Sequence, residues 1–313
     1  MNKNSLFKIG TLKSFVKHLV SYQIKKPLTF KLCIMKRIVS LVIILITVNV
    51  FSQSPWTKKK GALYTQLSFS TIANYNVLYG SPNKTLNGKI TDNTLQVYGE
   101  YGLTDKTTFI ASVPLKLISH KDISLTCING PCDNIDNDKN ALGNIEIGIK
   151  HNFYNKDWLI SGQINLEANT STFDASSGIR TGYDAWSITP LLSFGRGFNN
   201  WYVQGFTGVN IRTNNYNSNF KFGGEIGYKP ISNLWLIAGL DILKSFDNGD
   251  VILPTSNLLT GLYINNQEYN SFSIKAIGEL TKNFGLTAGI GGAFSGNNVA
   301  KQGAFNFGIY HKF

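Results

Sequence analysis

The last eleven residues of the chain, Gly303–Phe313, read GAFNFGIYHKF and alternate in chemistry from one residue to the next. One set of alternate positions holds Phe305, Phe307, Ile309, His311 and Phe313, and the other holds Ala304, Asn306, Gly308, Tyr310 and Lys312. Successive side chains of a β-strand point to opposite faces, so this period of two predicts a strand with one apolar and one mostly polar face. The sequence stops on an aromatic residue with no polar tail, and such a strand needs an apolar environment for its aromatic face.

The same alternation recurs along the chain and predicts eleven further strands. They are Gly61–Thr71, Thr94–Gly102, Thr107–Ile118, Leu142–Tyr154, Trp158–Ala168, Asp184–Gly195, Trp201–Ile211, Asn219–Tyr228, Leu234–Ser245, Ser271–Leu280 and Phe284–Phe294. Turns of three to five residues alternate with longer loops, of which Ser119–Ala141 and Phe246–Glu268 have 23 residues each. This pattern is typical of a closed antiparallel transmembrane β-barrel with short periplasmic turns and long extracellular loops. We therefore expect an all-β barrel of about 12 strands over residues 61–313, with both termini on the periplasmic side.

Two features bear on alternatives to this fold. Apolar pieces within the longer connections, Asn76–Tyr79 and Leu258–Ile264, could extend hairpins above the membrane or add a pair of strands. A soluble β-sandwich or propeller would instead turn its apolar faces inward. Aromatic residues beside the predicted short turns favour the barrel, because a ring of aromatics at one level is typical of a membrane interface. These residues are Tyr101, Phe153, Trp158, Trp201, Phe284 and Phe313.

The positive charge of the chain is concentrated at its N-terminus. Residues 1–52 contain nine of the 30 Lys and Arg residues and no Asp or Glu, so the remainder carries 21 basic and 18 acidic residues. A nucleic-acid partner, which the overall charge of +12 would suggest, is therefore not expected. Met35-Lys36-Arg37, the apolar run Ile38–Val50 and Ser52 are typical of a secretory signal peptide over residues 35–52. The alternative is a membrane anchor, but 13 apolar residues fall short of the ~20 that a spanning helix needs.

This assignment makes Met35 the expected start, with residues 1–34 an upstream extension or a mis-assigned start, and residues 53–60 a short periplasmic lead to the barrel. Cys127 and Cys132 are then the cysteines of the exported part, in the sequence CINGPC. In an oxidising compartment this spacing favours a disulfide that closes a small loop. Free thiols are the alternative, and a metal site would need further ligands, which do not cluster here. We expect no metal and no cofactor.

The polar face of the predicted strands carries nearly balanced charge. The inward candidates are Glu100, Lys116, Glu146, Lys150, Glu167, Lys221, Glu225, Asp241, Lys275, Glu279 and Lys312. Charges four residues apart on one strand are separated by about 13 Å, so any ion pairs must form between strands. These residues are either a structural network that fills the barrel or the polar lining of a permeation path. Their near-balance argues against a strongly ion-selective pore.

An enzyme is the other function class, and the sequence does not favour it. Outer-membrane phospholipases pair a lipid-facing histidine with serine in an H-x-S-N-G context. Here His151 is followed by Asn152-Phe153-Tyr154, and His151 and His311 fall on the predicted lipid face. The Asp/His arrangement of barrel proteases is also missing. We therefore expect no catalytic residues.

The segment Tyr98–Leu115, YGEYGLTDKTTFIASVPL, resembles a family of outer-membrane proteins linked with the meta-pathway of phenol degradation. The shared pattern is a YGLT-Asp-Lys turn, here Tyr101–Lys106, followed by an amphipathic strand that ends in Val113-Pro114. Gly143-Asn144-Ile145 with Gly148-Ile149-Lys150 resembles the next strand of that family, and the resemblance spans about residues 61–250. It implies passage of small molecules, hydrophobic or aromatic ones among them, and carries over no substrate residue. The Val-Phe-Ser-Gln end of the signal resembles those of Bacteroidetes, which are Gram-negative.

These observations predict an outer-membrane channel or transporter for small molecules. Its expected partners are outer-membrane lipid, an unidentified solute and the barrel assembly machinery. The last strand resembles the C-terminal signal that this machinery reads, in which Phe305, Phe307, Ile309 and Phe313 take part. The alternative function is a non-transporting surface barrel whose outer loops bind a partner or ligand.

Overall fold

A sheet of amphipathic strands has unpaired backbone groups at its two edges unless the first and last strands pair with each other. In the computed structural model, which describes residues 54–123, 126–127, 130–131 and 135–313, these strands do pair. The strands are β1 Leu63–Leu78, β2 Lys84–Thr104, β3 Thr107–Ile123, β4 Thr126–Cys127, β5 Gly130–Pro131, β6 Ile135–Leu142, β7 Glu146–Asn155, β8 Leu159–Glu167, β9 Ser187–Gly197, β10 Trp201–Arg212, β11 Asn219–Ile231, β12 Leu234–Ser245, β13 Glu268–Glu279, β14 Phe284–Asn297 and β15 Ala304–Lys312.

Twelve of these strands form a closed antiparallel barrel, in agreement with the prediction. Each long strand pairs with its neighbours in sequence, and β15 returns to β1 with Phe307 opposite Phe69. The first strand begins and the last strand finishes on the side of the barrel where the connections between strands are short. We call this side the short-turn end. The opposite, long-loop end carries the longer connections between β8 and β9 and between β12 and β13.

The additional strand β6 continues β7 along the side of β3. Residues 107–112 of β3 pair with β7, and residues 115–123 pair with β6. The pairing registers of these two parts differ by one residue. The interruption lies beside Pro114 of β3, which has no N–H to donate to a neighbouring strand. At this point the Gly143 N–H donates to the Pro114 carbonyl over 2.9 Å. The predicted strand Leu142–Tyr154 is therefore broken at residues 143–145.

The first hairpin is longer than predicted. Most of the expected polar connection between Ala73 and Asn93 belongs to β1 and β2, because its inward side chains Tyr75, Leu78 and Ile90 are buried in a core above the barrel. The piece Asn76–Tyr79 thus extends a hairpin. By contrast, Leu258–Ile264 forms no strand: it contains the end of a one-turn helix, α1 Asn257–Thr260, and then buries Leu262 and Ile264.

The outer face of the barrel is apolar and the inner face is mainly polar. On β9, Ile188, Leu192 and Phe194 are exposed, whereas the alternating Ser187 and Ser193 are buried. Five of the six aromatic residues predicted beside the short turns are exposed and Phe284 is half-buried. No helix in the described part of the chain is long and apolar enough to span a membrane. The predicted signal peptide and residues 1–34 lie outside the described residues, as does Cys132, so the disulfide remains a prediction.

Candidate functional site

The inner face of the described barrel carries two cavities, which most of the predicted inward residues line, whereas Glu279 and Lys312 lie at the short-turn end. Eight of the ten acidic and basic candidates on the strands before β15 line these cavities. They are Glu100, Lys116, Glu146, Lys150, Glu167, Lys221, Glu225 and Lys275. Asp241 accepts a hydrogen bond from the Tyr269 hydroxyl over 3.4 Å, and Glu279 pairs with Lys229 and Lys312.

The lower cavity, of about 290 Å³, lies toward the short-turn end. Its wall carries two ion pairs, Lys58–Glu100 at 2.9 Å and Lys275–Glu225 at 3.6 Å. A tyrosine completes the second pair, because the Tyr202 hydroxyl donates to Glu225 over 2.6 Å. The lower cavity therefore combines charges that are compensated locally with the side chains of Tyr64, Tyr98 and Tyr202.

The upper cavity, of about 380 Å³, lies toward the long-loop end and shares the side chain of Tyr98 with the lower one. Two of its three lysines are paired: Lys116 contacts Asp92 at 2.6 Å, and Lys150 contacts Glu100 at 3.2 Å. The third, Lys221, lies on β11 and has no such pair among the described residues. Neutral side chains that line the remaining wall include Thr94, Gln96, Ser112, Asn144, Gln163 and Asn165.

Some of these ion pairs connect strands that are not neighbours in the sheet. The Lys150 side chain on β7 is only 1% exposed and reaches across β3 to Glu100 on β2, while Lys275 on β13 reaches across β12 to Glu225. A charge removed from water in this way costs several kcal/mol unless it is paired and hydrogen-bonded. The pairs therefore fix the inner wall, and breaking one would leave a buried charge.

Residues 54–60 fold into the short-turn end of the barrel, where Ser54 and Lys58 line the lower cavity, and we call this segment the floor. The Ser54 carbonyl accepts from Lys150 Nζ over 3.1 Å, and the Pro55 carbonyl accepts from the Ser161 hydroxyl. The Trp56 ring packs edge-on against Tyr202 at 5.6 Å. The sequence predicts this segment as a short periplasmic lead to the barrel; in the structure it lies in the barrel end, where inward hydroxyl and ammonium groups satisfy its backbone carbonyls.

The two longer loops, residues 168–186 and 246–267, contribute Thr181, Gly182 and Tyr263 to the wall of the upper cavity, and we call these loops the roof. Arg180 Nε donates to Asn257 Oδ1 over 2.7 Å, and this contact joins the loops. Tyr263, a roof residue on the cavity wall, has its ring centroid 5.7 Å from the Lys116 ammonium. Burial raises the pKa of Tyr263 to about 12, so its hydroxyl stays protonated at neutral pH.

Sequence reasoning missed three kinds of residue in the wall and its ion pairs. It places Asp92 in a loop. Thr94 and Gln96 point into the lumen at alternate positions of β2, and continuing this alternation by two residues would have placed Asp92 on the inner face as well. It omits the neutral amides, because it selects charged residues alone. Lys58 could not be found from its sequence position, since no pattern in residues 54–60 predicts that the chain re-enters the barrel.

Solved structures share this fold. An outer-membrane channel from Pseudomonas putida F1 superposes with a TM-score of 0.64 at 13% identity, covering 85% of this chain and 100% of that one. More distant matches include the NanC porin, with a TM-score of 0.46, 8% identity and 80% and 100% of the two chains covered. The toluene transporter TodX of Pseudomonas putida has a TM-score of 0.43 at 10% identity, with 82% and 89% covered. The first of these matches shows the fold, an outer-membrane β-barrel.

No family model matches the sequence, and no curated protein sequence is significantly similar to it. The resemblance of Tyr98–Leu115 to the proteins linked with phenol degradation therefore stays a prediction.

Proposed function

We propose that this protein is an outer-membrane channel that passes small polar solutes through the barrel. The observation that carries the proposal is the pair of cavities on the inner face, about 290 and 380 Å³, which share Tyr98 and carry charged side chains on their walls. Eight-stranded barrels are filled by side chains and sixteen-stranded barrels hold aqueous channels, so a lumen with discrete cavities fits a barrel of intermediate size. The family resemblance implies small molecules, hydrophobic or aromatic ones among them, but the Lys, Glu, Gln and Asn side chains of the upper cavity favour polar ones.

The floor and the roof imply that passage requires a movement at each end. Residues 54–60 are held by a few polar contacts to side chains of the wall, and the roof loops are joined to each other by side-chain hydrogen bonds. Such contacts contribute about 0.5–3 kcal/mol each, with the larger values for charged donors, so local opening is accessible while the twelve strands stay paired. We infer that both segments act as gates, with the floor facing the periplasm.

The inward folding of the loops disfavours the alternative of a surface barrel that binds a partner through them. Ile179, Thr260 and Leu262 are buried, and they fill the space above the lumen. A partner would find scattered apolar side chains on the outer side of these loops, such as Ile252 and Leu258, among polar ones. Scattered apolar residues are normal on a protein surface and do not by themselves mark an interface.

Reconstitution tests the proposal. Protein purified in detergent and inserted in planar bilayers is expected to give discrete, small conductance steps, and liposomes that contain it are expected to swell in small neutral polyols. Boiled protein and protein-free liposomes provide the background. Neither conductance nor solute entry, in protein that migrates as a folded barrel before heating, would contradict the proposed function.

A further inference from the structure

Two carboxylates face each other on the wall of the upper cavity. Glu146 on β7 and Glu167 on β8 stand directly opposite in the strand register, and both line the cavity. Like charges at such positions destabilise a sheet. Glu167 accepts from Asn144 Nδ2 over 2.8 Å, but neither carboxylate has a Lys or Arg nitrogen within 4 Å in the described part of the chain.

The complementary charge lies on another wall of the same cavity. Lys221 and Glu146 attract each other electrostatically across the lumen, yet no described carboxylate oxygen lies within 4 Å of the Lys221 ammonium. Asp241, on the neighbouring strand β12, also attracts Lys221 without a contact within 4 Å, and it accepts a hydrogen bond from the Tyr269 hydroxyl. On the cavity wall itself, two carboxylates and one ammonium of the described residues therefore have charges that no direct contact cancels. Lys116 and Lys150 do not alter this balance, because each is already paired with an acid.

We propose that the upper cavity binds a small zwitterion of the α-amino acid class, with its ammonium between Glu146 and Glu167 and its carboxylate at Lys221. The proposal rests on the proposed channel function and names its solute class. β7 and β11 are separated by three strands, a third of the way round the barrel. With strands about 4.8 Å apart and tilted about 40°, their backbones are roughly 20 Å apart across the lumen. The Glu and Lys side chains occupy about half of this distance, which leaves on the order of 10 Å for a ligand and its hydrogen bonds.

The remaining polar groups favour an ammonium over a metal ion at the two carboxylates. In the described part of the chain no group of three or more His, Cys, Asp or Glu side chains could hold a metal ion, and the amide oxygens Asn144 Oδ1 and Asn165 Oδ1 each already accept one hydrogen bond, from the Ser171 N–H over 3.1 Å and from Gln163 Nε2 over 2.8 Å. A hard cation would need several further oxygen ligands. An ammonium brings its own donors, and the two acceptor-only carboxylates can share them.

Four solutes of three carbons separate the contributions of charge and size. The measurement is entry into proteoliposomes of L-alanine, lactate, 1-amino-2-propanol and glycerol, each corrected for protein-free liposomes. We expect L-alanine to enter faster than glycerol in the unaltered protein and to show saturation. The double variant Glu146→Gln/Glu167→Gln and the single variant Lys221→Met should each reduce the preference for L-alanine roughly tenfold, the loss expected for a hydrogen bond between charged groups.

Controls distinguish failure of this inference from failure of the channel function. Lys244→Met removes an exposed lysine on β12 and should leave all four rates unchanged. Heat-dependent migration shows that each variant has folded. If L-alanine and glycerol enter at equal rates in the unaltered protein and in every variant, the zwitterion site is overturned and the channel function stands. If none of the four solutes enters, the channel function itself is contradicted. Preference for 1-amino-2-propanol, with no effect of Lys221→Met, would identify a simple cation site and also overturn the proposal.

Discussion

The Lys58 ammonium lies 2.9 Å from Glu100 Oε2, and this contact joins the floor segment to the wall of the barrel. We expect Lys58→Met to increase the time that the channel spends open, because it removes the ion pair but keeps Glu100 paired with Lys150. A loss of about 1–3 kcal/mol corresponds to a change of about 5–150-fold in the closed-to-open ratio. Single-channel recording measures this ratio directly.

Lys60→Met is the matched control for this variant. Lys60 is an exposed lysine of the same segment, and its backbone N–H, which the substitution keeps, is the group that contacts Asp105. Equal open probabilities in the two variants would contradict a gating role for the Lys58–Glu100 pair.

The floor can also be displaced without changing a charge. Gly102 lies on the inner face of β2, where a Cβ atom would overlap the Lys59 carbonyl oxygen. Gly102→Ala should therefore push residues 54–60 out of the barrel end and open the channel, as Lys58→Met does. Gly99→Ala is the control, because the nearest atom to its Cβ is the Tyr64 carbonyl oxygen at 3.8 Å. The displacement can be measured with a cysteine introduced at Ser54, which a membrane-impermeant thiol reagent added from the short-turn side should label faster when the floor has moved. Unchanged labelling in Gly102→Ala would argue against this displacement.

The roof depends on Asn257, whose side chain bridges the two long loops. Its amide accepts from Arg180 and donates to the Leu262 carbonyl over 2.9 Å, and the residue is fully buried. Asn257→Ala leaves both partners unsatisfied, at a cost of about 1–3 kcal/mol each. We expect faster protease cleavage within residues 246–267 in the folded barrel. Leu258→Ala, which truncates an exposed neighbour, should leave cleavage unchanged; the same rate in both variants would show that Asn257 does not hold the roof.

The barrel was predictable from sequence because the pattern that specifies each strand lies within that strand. Each strand need only present apolar groups outward and polar groups inward, as Phe305 and Asn306 do on β15, and this alternation is visible without knowledge of the partner strands. The bounds of β12, Leu234–Ser245, were predicted without error, because Pro230 and Asn233 mark one end and a polar loop the other.

The cavities were less predictable, because they depend on contacts between distant parts of the chain. The alternation of side chains between the two faces of β2 assigned Glu100 to the lumen. It could not identify Lys58 or Lys150 as the partners of Glu100, since these residues lie 42 and 50 positions away in sequence. The roof was missed for a related reason. Leu262 and Ile264 are apolar residues in a loop, and the same composition fits an added strand or a buried turn.

The orientation of the last strand can be tested by placing a charge on either face. Phe307 is 55% exposed on the outer face, whereas Asn306 lines the lower cavity. Phe307→Arg should cost roughly 2–4 kcal/mol if this position faces the middle of the bilayer. Asn306→Arg should cost far less and should instead reduce conductance, because its side chain enters the lumen. Unfolding in urea with the protein in lipid vesicles measures both costs, and equal penalties would contradict the assignment of faces.

The final residue, Phe313, joins the last strand to the first and projects outward. Its N–H donates to the Leu63 carbonyl over 2.8 Å, its ring packs against His311 at 4.1 Å, and its side chain is 68% exposed. One backbone hydrogen bond contributes about 1 kcal/mol, so deletion of Phe313 should barely weaken the finished barrel. If the assembly machinery reads this residue, the deletion should instead lower the amount of protein in the outer membrane while synthesis continues. Phe153→Ala, which removes an equally exposed aromatic at the same end, is the control. Outer-membrane levels of the deletion that match those of this control would refute the role of Phe313 as a signal.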